Sequence, residues 1–233
     1  MIGREARLPF PFVLATGNSD KAREILEIFT EAVGELLAAS AIDYAGRTCG
    51  YLVAPGATVA TAVAALRPLD GQPDIEETGT TLEENARIKA EGMFVATGVT
   101  AIADDTGLEV DALGGAPGVW SARYAGEDAT YADNVHKLLR ELAGVPAAER
   151  TARFATVAHV AGGDLTLTVR GEVAGTIADA KRGAGTFGYD PVFVPDDSDG
   201  RTFAEMDASE KHALSHRGRA FRALVDAFGD LDI

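Results

Sequence analysis

A single cysteine, Cys49, among 233 residues excludes an internal disulfide and any zinc site built on cysteine pairs. Positive charge is scarce as well: 21 Lys and Arg face 36 Asp and Glu, a net charge of −15. That balance argues against a broad nucleic-acid surface or an anionic-membrane surface, so neither partner is expected. A small phosphorylated ligand remains open to it, provided that local Lys, Arg, backbone N–H groups or a metal overcome the general repulsion. No apolar run approaches membrane-spanning length, and the stretch Met1 to Arg7 lacks the long apolar segment of a secretory leader. A cytoplasmic location is the expectation. The Walker A pattern GxxxxGK[ST] is missing too, which removes that nucleotide-binding class. What is abundant is apolar surface: 46% of residues are hydrophobic, enough for one globular unit or two closely joined lobes.

The stretch around which the chain is organised is Ala101-Ile-Ala-Asp104-Asp105-Thr106-Gly107-Leu108. The apolar run Val99 to Ala103 predicts a short buried strand that ends at two adjacent carboxylates. Ligands of open α/β proteins collect at the carboxyl ends of strands. Two acids there need a buried cation or a hard, oxygen-preferring ion such as Mg²⁺. The plainer alternative is a solvated turn with an Asx-type hydrogen bond.

Upstream, the apolar run Phe12 to Ala15 predicts a strand, followed by Thr16-Gly17-Asn18-Ser19-Asp20-Lys21 and then a helix. Ala22, Ile25, Phe29 and Ala32 fall on one helical face, and Asn18 or Ser19 can cap it. A lysine in the first turn opposes the helix dipole, so free N–H groups plus Lys21 read as an anion site, most naturally for phosphate. An ordinary capped helix with an exposed lysine is the competing reading. From Val33 to Pro73 the pattern is Ala- and Gly-rich, punctuated by Gly46, Gly50, Pro55 and Pro68, and could be strand or helix.

The acidic turn Asp74 to Gly79 precedes Thr81-Leu-Glu-Glu84, a capping box that starts a helix. On that helix Asn85 and Lys89 share a face and can reach the Asp104–Asp105 pair. The glycine-rich loop after Leu113 carries Ser121 and Arg123, which could bind phosphate or pair with surface acids. Residues 129–142 predict an amphipathic helix. Ala152 to Ala161 and Leu165 to Val169 predict a hairpin, with a third strand from Val173 to Ile177, together a separate antiparallel lobe. A second dense cluster, Phe187-Gly188-Tyr189-Asp190, sets two rings among glycines, where a flat base could stack. The last helix follows Ser215 as cap, with Lys211, His216 and Arg217 at its start. Cations there are not placed by the dipole, so a polar or anionic ligand would explain them.

Taken together, these blocks resemble the inosine triphosphate pyrophosphatase family: Thr16 to Lys21; Glu77-Thr-Gly with Glu84-Asn-Ala-Arg-Ile-Lys89; Ala101 to Leu108; Gly114-Gly-Ala-Pro-Gly; Phe187-Gly-Tyr-Asp-Pro; and Ser215-His-Arg-Gly. The resemblance implies an elongated α/β fold, a long mixed sheet flanked by helices with two lobes and a central cleft, as one domain over residues 1–233 with a family-atypical insertion at 33–73. It implies Mg²⁺-dependent hydrolysis of ITP, dITP or XTP at the α–β phosphoanhydride, house-cleaning of the nucleotide pool, and a homodimer. It places Thr16, Gly17, Asn18, Ser19, Asp20 and Lys21 in the triphosphate loop. Lys89 then contacts phosphate, Asp105 is proton acceptor and metal ligand, Thr106 beside it and Asn85 lie on the substrate, and Glu77 holds the metal. Phe187, Gly188, Tyr189, Asp190, Lys211, His216 and Arg217 form the base site. The division of roles among Glu77, Asp104 and Asp105 stays open. Thr186 replaces a frequent glycine, which would narrow the base site. A relative acting on other modified nucleotides, and a nucleotide-binding regulator without turnover, are the alternatives. Retention of the three acids and both lysines disfavours the regulator.

Overall fold

The computed structural model describes residues 8–64, 66, 75–184 and 187–231. Asp74, the 67–73 end of the atypical segment and Thr186 lie outside the described residues. The strands are β1 (Phe12–Leu14), β2 (Leu37–Tyr44), β3 (Arg47–Pro55), β4 (Ala101–Val110), β5 (Pro117–Gly118), β6 (Thr151–Gly162), β7 (Leu165–Ile177) and β8 (Phe193–Pro195). The helices are α1 (Ser19–Val33), α2 (Val59–Val63), α3 (Leu82–Thr97), α4 (Tyr131–Glu141), α5 (Ala208–Leu214) and α6 (His216–Gly229). The strands form one sheet in the order β2-β3-β1-β4-β6-β7-β8, with β5 on β4. It is mixed: β1 runs antiparallel to β3 and parallel to β4. This is the mixed α/β class that the motifs imply. Among the described residues no helix is long and apolar enough to cross a membrane.

Two compact units divide the chain. The first comprises residues 1–105, 157–170 and 220–233, the second residues 106–156 and 171–219. In the first, Phe12, Phe29 and Phe221 interlock edge-to-face, with centroids 5.4 and 5.1 Å apart. In the second, Phe154, Phe193 and Phe203 pack together, the closest pair 4.7 Å apart. Each such buried ring contributes about 1.5–3 kcal/mol by burial alone, so each unit holds its own apolar centre.

Three local expectations change. The strand before the acids does not end there: β4 continues through Asp104 and Asp105 to Val110. It is β1 that stops, at Leu14 beside Ile102, so the carboxylates stand next to the end of β1 and not at the end of their own strand. The hairpin is no separate lobe, because β6 lies beside β4 in the common sheet. The second and third strands expected there are one strand, β7, of 13 residues. The sequence of β6 does not alternate because the strand is buried on both faces from Phe154 to Ala161. The segment from Leu37 to Pro55 is the β2–β3 hairpin, and β3 pairs with β1.

Candidate functional site

Helix α1 begins at its cap Asn18, whose Oδ1 accepts the backbone N–H of Asp20 at 3.0 Å and of Lys21 at 3.1 Å. Asn18's own N–H donates to Thr16 Oγ1 at 3.1 Å. Three N–H groups expected to be free for an anion are therefore engaged locally, and fixed positive charge at this turn comes from Lys21. Its Nζ lies 3.4 Å from Asp104 Oδ2. A Cβ on Gly17 would stand 2.7 Å from Thr48 O of β3, so only glycine lets the loop approach that strand. Asp20 pairs with Arg23 at the surface, and Ser19 is the first residue of the helix.

Helix α3 carries the second lysine. The capping box of Thr81 and Glu84 forms as expected. Asn85, 2% exposed, accepts the Gly79 N–H on Oδ1 at 2.8 Å. Its amide nitrogen therefore faces Asp105 and donates to Oδ2 at 3.3 Å. One helical turn on, Lys89 Nζ donates to Glu77 Oε2 at 3.2 Å and to Asp105 Oδ1 at 3.3 Å. The structure thus brings together Lys21, Glu77, Asn85, Lys89, Asp104 and Asp105 within the first unit. Burial raises the Asp105 carboxyl above the ordinary range; Lys89 and Lys21 pull it back only in part, and Glu77 and Asp104 add to the rise. Burial works against the Lys89 ammonium, but Asp105, Glu77 and Asp104 outweigh it and the net shift is upward. Lys89 is therefore a permanent cation here.

Among the described residues no group of three or more His, Cys, Asp or Glu side chains forms a metal cage. The donors present, Glu77 and Asp105, are hard carboxylates meeting at one ammonium. Such a pair suits Mg²⁺, which uses one or two protein carboxylates and takes its other ligands from phosphate and water.

The second unit gathers the remaining residues. Lys211 Nζ bonds Asp190 Oδ2 at 2.7 Å and lies 4.7 Å from the Phe187 ring centroid; Arg217 Cζ lies 5.6 Å from the same centroid. Gly188 adopts φ 64° beside it. Arg217 Nη2 donates to Thr106 Oγ1 at 3.2 Å. Ser215 caps α6 by accepting the Gly218 N–H at 3.0 Å, which holds His216 and Arg217 in its first turn. His216 stacks on Phe154, centroids 4.4 Å apart and planes at 13°.

Some candidates hold neighbouring backbone or pair at the surface. Tyr189 is buried and donates to Ser121 O at 2.9 Å. Ser121 accepts from Leu108 N and donates to Gly118 O. Arg123 sits over Trp120 and pairs with Glu127, the surface-acid alternative. Motif reading missed Thr156, Phe154 and Tyr131. Thr156 is bonded to Thr106 at 2.7 Å, and the Tyr131 ring meets Phe187 at 5.9 Å. Thr156 had a signal, a lone hydroxyl in the apolar run of β6.

Fold and site define an α/β protein with a buried carboxylate–lysine centre. The chain belongs to the Ham1 family, whose family model matches residues 12–227. It is 44% identical over 218 residues to the dITP/XTP pyrophosphatase of Erwinia tasmaniensis, spanning 92% of both chains. To the dITP/XTP pyrophosphatase of Chlorobaculum tepidum it is 43% identical over 236 residues, spanning 94% of this chain and 92% of that one. A solved HAM1 protein from Coxiella burnetii superposes with a TM-score of 0.71 at 37% identity, covering 94% of this chain and 98% of that one.

Proposed function

We propose that this protein hydrolyses non-standard purine nucleoside triphosphates, ITP, dITP and XTP, to the monophosphate and pyrophosphate, and so clears them from the nucleotide pool. The observation that carries the reading is Lys89, held between Glu77 and Asp105 while Lys21 stands on Asp104. Two cations fixed among three carboxylates form a set that can exchange carboxylate partners for phosphate oxygens. Relatives that carry the name dITP/XTP pyrophosphatase over more than nine-tenths of the chain support it.

In this reading Asp105 is the general base, oriented by the Asn85 amide and Lys89. It takes a proton from water as the water oxygen bonds to the α-phosphorus. The α–β bridging P–O bond breaks, and its electron pair leaves on pyrophosphate. Lys21 and Lys89 supply fixed positive charge where negative charge accumulates. Glu77 and Asp105 would hold Mg²⁺, which when bound draws charge from the phosphate oxygens.

For the base, donors from Arg217, His216 and Lys211 suit the 6-oxo group of hypoxanthine and xanthine. Against adenine's 6-amino group they would leave donor facing donor, a costly mismatch when buried. A homodimer in the cytoplasm belongs to the same proposal, and light scattering in solution tests the assembly state.

The deciding experiment incubates the protein with ITP, XTP, dITP, ATP and GTP, with and without Mg²⁺, resolving pyrophosphate from phosphate. Pyrophosphate from ITP or XTP, with little from ATP or GTP and none without metal, is expected. Release of single phosphates, or tight binding without turnover, overturns the reading.

A further inference from the structure

We infer that Thr156 is a positioning residue for nucleobase selection, acting through Thr106 on Arg217; the inference rests on the pyrophosphatase reading above. Thr156 is fully buried in β6, in the run Phe154-Ala-Thr-Val-Ala-His-Val. A hydroxyl buried in an apolar strand is costly unless it is bonded. Its Oγ1 lies 2.7 Å from Thr106 Oγ1.

That same Thr106 oxygen accepts from Arg217 Nη2 at 3.2 Å. A guanidinium only donates, so Thr106 must present a lone pair to it, and the direction of that lone pair depends on how the hydroxyl is turned. The Thr156 contact, in which either hydroxyl can donate, restricts that turn. Thr106 adds little freedom of its own, being β-branched and in a strand. The relay therefore runs from Thr156 to Thr106 to Arg217, whose guanidinium carbon lies 5.6 Å from the Phe187 ring centroid. An arginine reads a carbonyl through a planar fork of donors, so its angle matters as much as its distance. All four residues belong to the second unit.

The test compares wild type, Thr156→Val and Thr156→Ser on ITP and ATP, with thermal unfolding alongside. Valine keeps the shape and removes the hydroxyl; serine keeps the hydroxyl and removes the methyl. For Thr156→Val, kcat/KM on ITP is expected to fall about five- to tenfold, mainly through KM, the scale of one buried hydrogen bond. The ITP-over-ATP preference is expected to narrow. Thr156→Ser is expected to retain the wild-type preference. An unchanged preference in Thr156→Val overturns the inference. So does a lost preference in Thr156→Ser, which decides the matter even where the valine variant unfolds. A wild type that releases no pyrophosphate from ITP or XTP overturns the pyrophosphatase reading and this inference together. An active wild type with an indifferent valine variant overturns this inference alone.

Discussion

Lys89 Nζ stands 3.3 Å from Asp105 Oδ1, fastening helix α3 to strand β4. Removing that cation leaves Glu77 and Asp105 without their shared ammonium, while Lys21 still stands on Asp104. Lys89→Met is expected to lower kcat on ITP by about a hundredfold or more, the scale for deleting a fixed transition-state charge. Steady-state kinetics check it, and a decrease under threefold would remove Lys89 from the chemistry.

Asp105→Asn tests the base. The amide can still accept from Lys89 through its oxygen, but its nitrogen then faces the Asn85 amide, whose own oxygen is held by Gly79. Turnover is expected to fall by at least about a hundredfold, the lower range for loss of a general base, with cooperative unfolding retained. Calorimetry beside the pyrophosphate assay checks both. Near-normal turnover would assign proton transfer elsewhere.

Gly17→Ala places a methyl 2.7 Å from Thr48 O. Since neither backbone can yield cheaply, the loop ahead of α1 must move away from β3 and carry Lys21 with it. KM for ITP is expected to rise about tenfold, as for loss of one charge-assisted contact. An unchanged KM would show that the loop adapts without displacing Lys21.

Arg217 is 2% exposed, so truncation to alanine removes packing as well as donors. Arg217→Met keeps much of the volume and is the cleaner probe. Both variants are expected to narrow the ITP-to-ATP ratio of kcat/KM more than they slow ITP itself. An unchanged ratio would place base reading at other residues.

His159 gives a pH prediction independent of the active site. It is buried in β6, its Nδ1 bonded to Thr168 Oγ1 at 2.7 Å. Burial pulls its pKa below the ordinary value, against a partial upward pull from Glu91, while Arg87 adds to the fall. A histidine lowered on folding stabilises fully above the unfolded pKa of about 6.5. As pH drops through that value the unfolded state binds the proton first, so stability declines until the lower folded pKa is passed. Urea midpoints are expected to fall between pH 7.5 and 5.5, and His159→Phe is expected to reduce that fall. An equal fall in the variant would assign the pH dependence to other groups.

Most helices were legible in the sequence because their signals are local. The Thr81–Glu84 box starts α3, Asn18 caps α1 and Ser215 caps α6. Each depends on side chains reaching backbone groups two or three residues away, which spacing records. The same holds for the four-residue step that sets Asn85 and Lys89 on one face. Six motifs in order carried the family assignment, and with it the mixed α/β class.

Tertiary structure decided what depends on neighbours far along the chain. Asp104 and Asp105 lie inside β4, since β1 stops beside Ile102 while β4 gains further partners. β6 hid its register because both of its faces are covered, which erases the alternation that marks a half-exposed strand. Asn18 spends its side chain on the N–H groups of Asp20 and Lys21, leaving Lys21 as the cation of that turn. The pairing of Thr106 with Thr156, fifty residues apart, could be written in no local pattern. Strand pairing alone brings those two hydroxyls within reach, and Arg217 joins them from the start of α6.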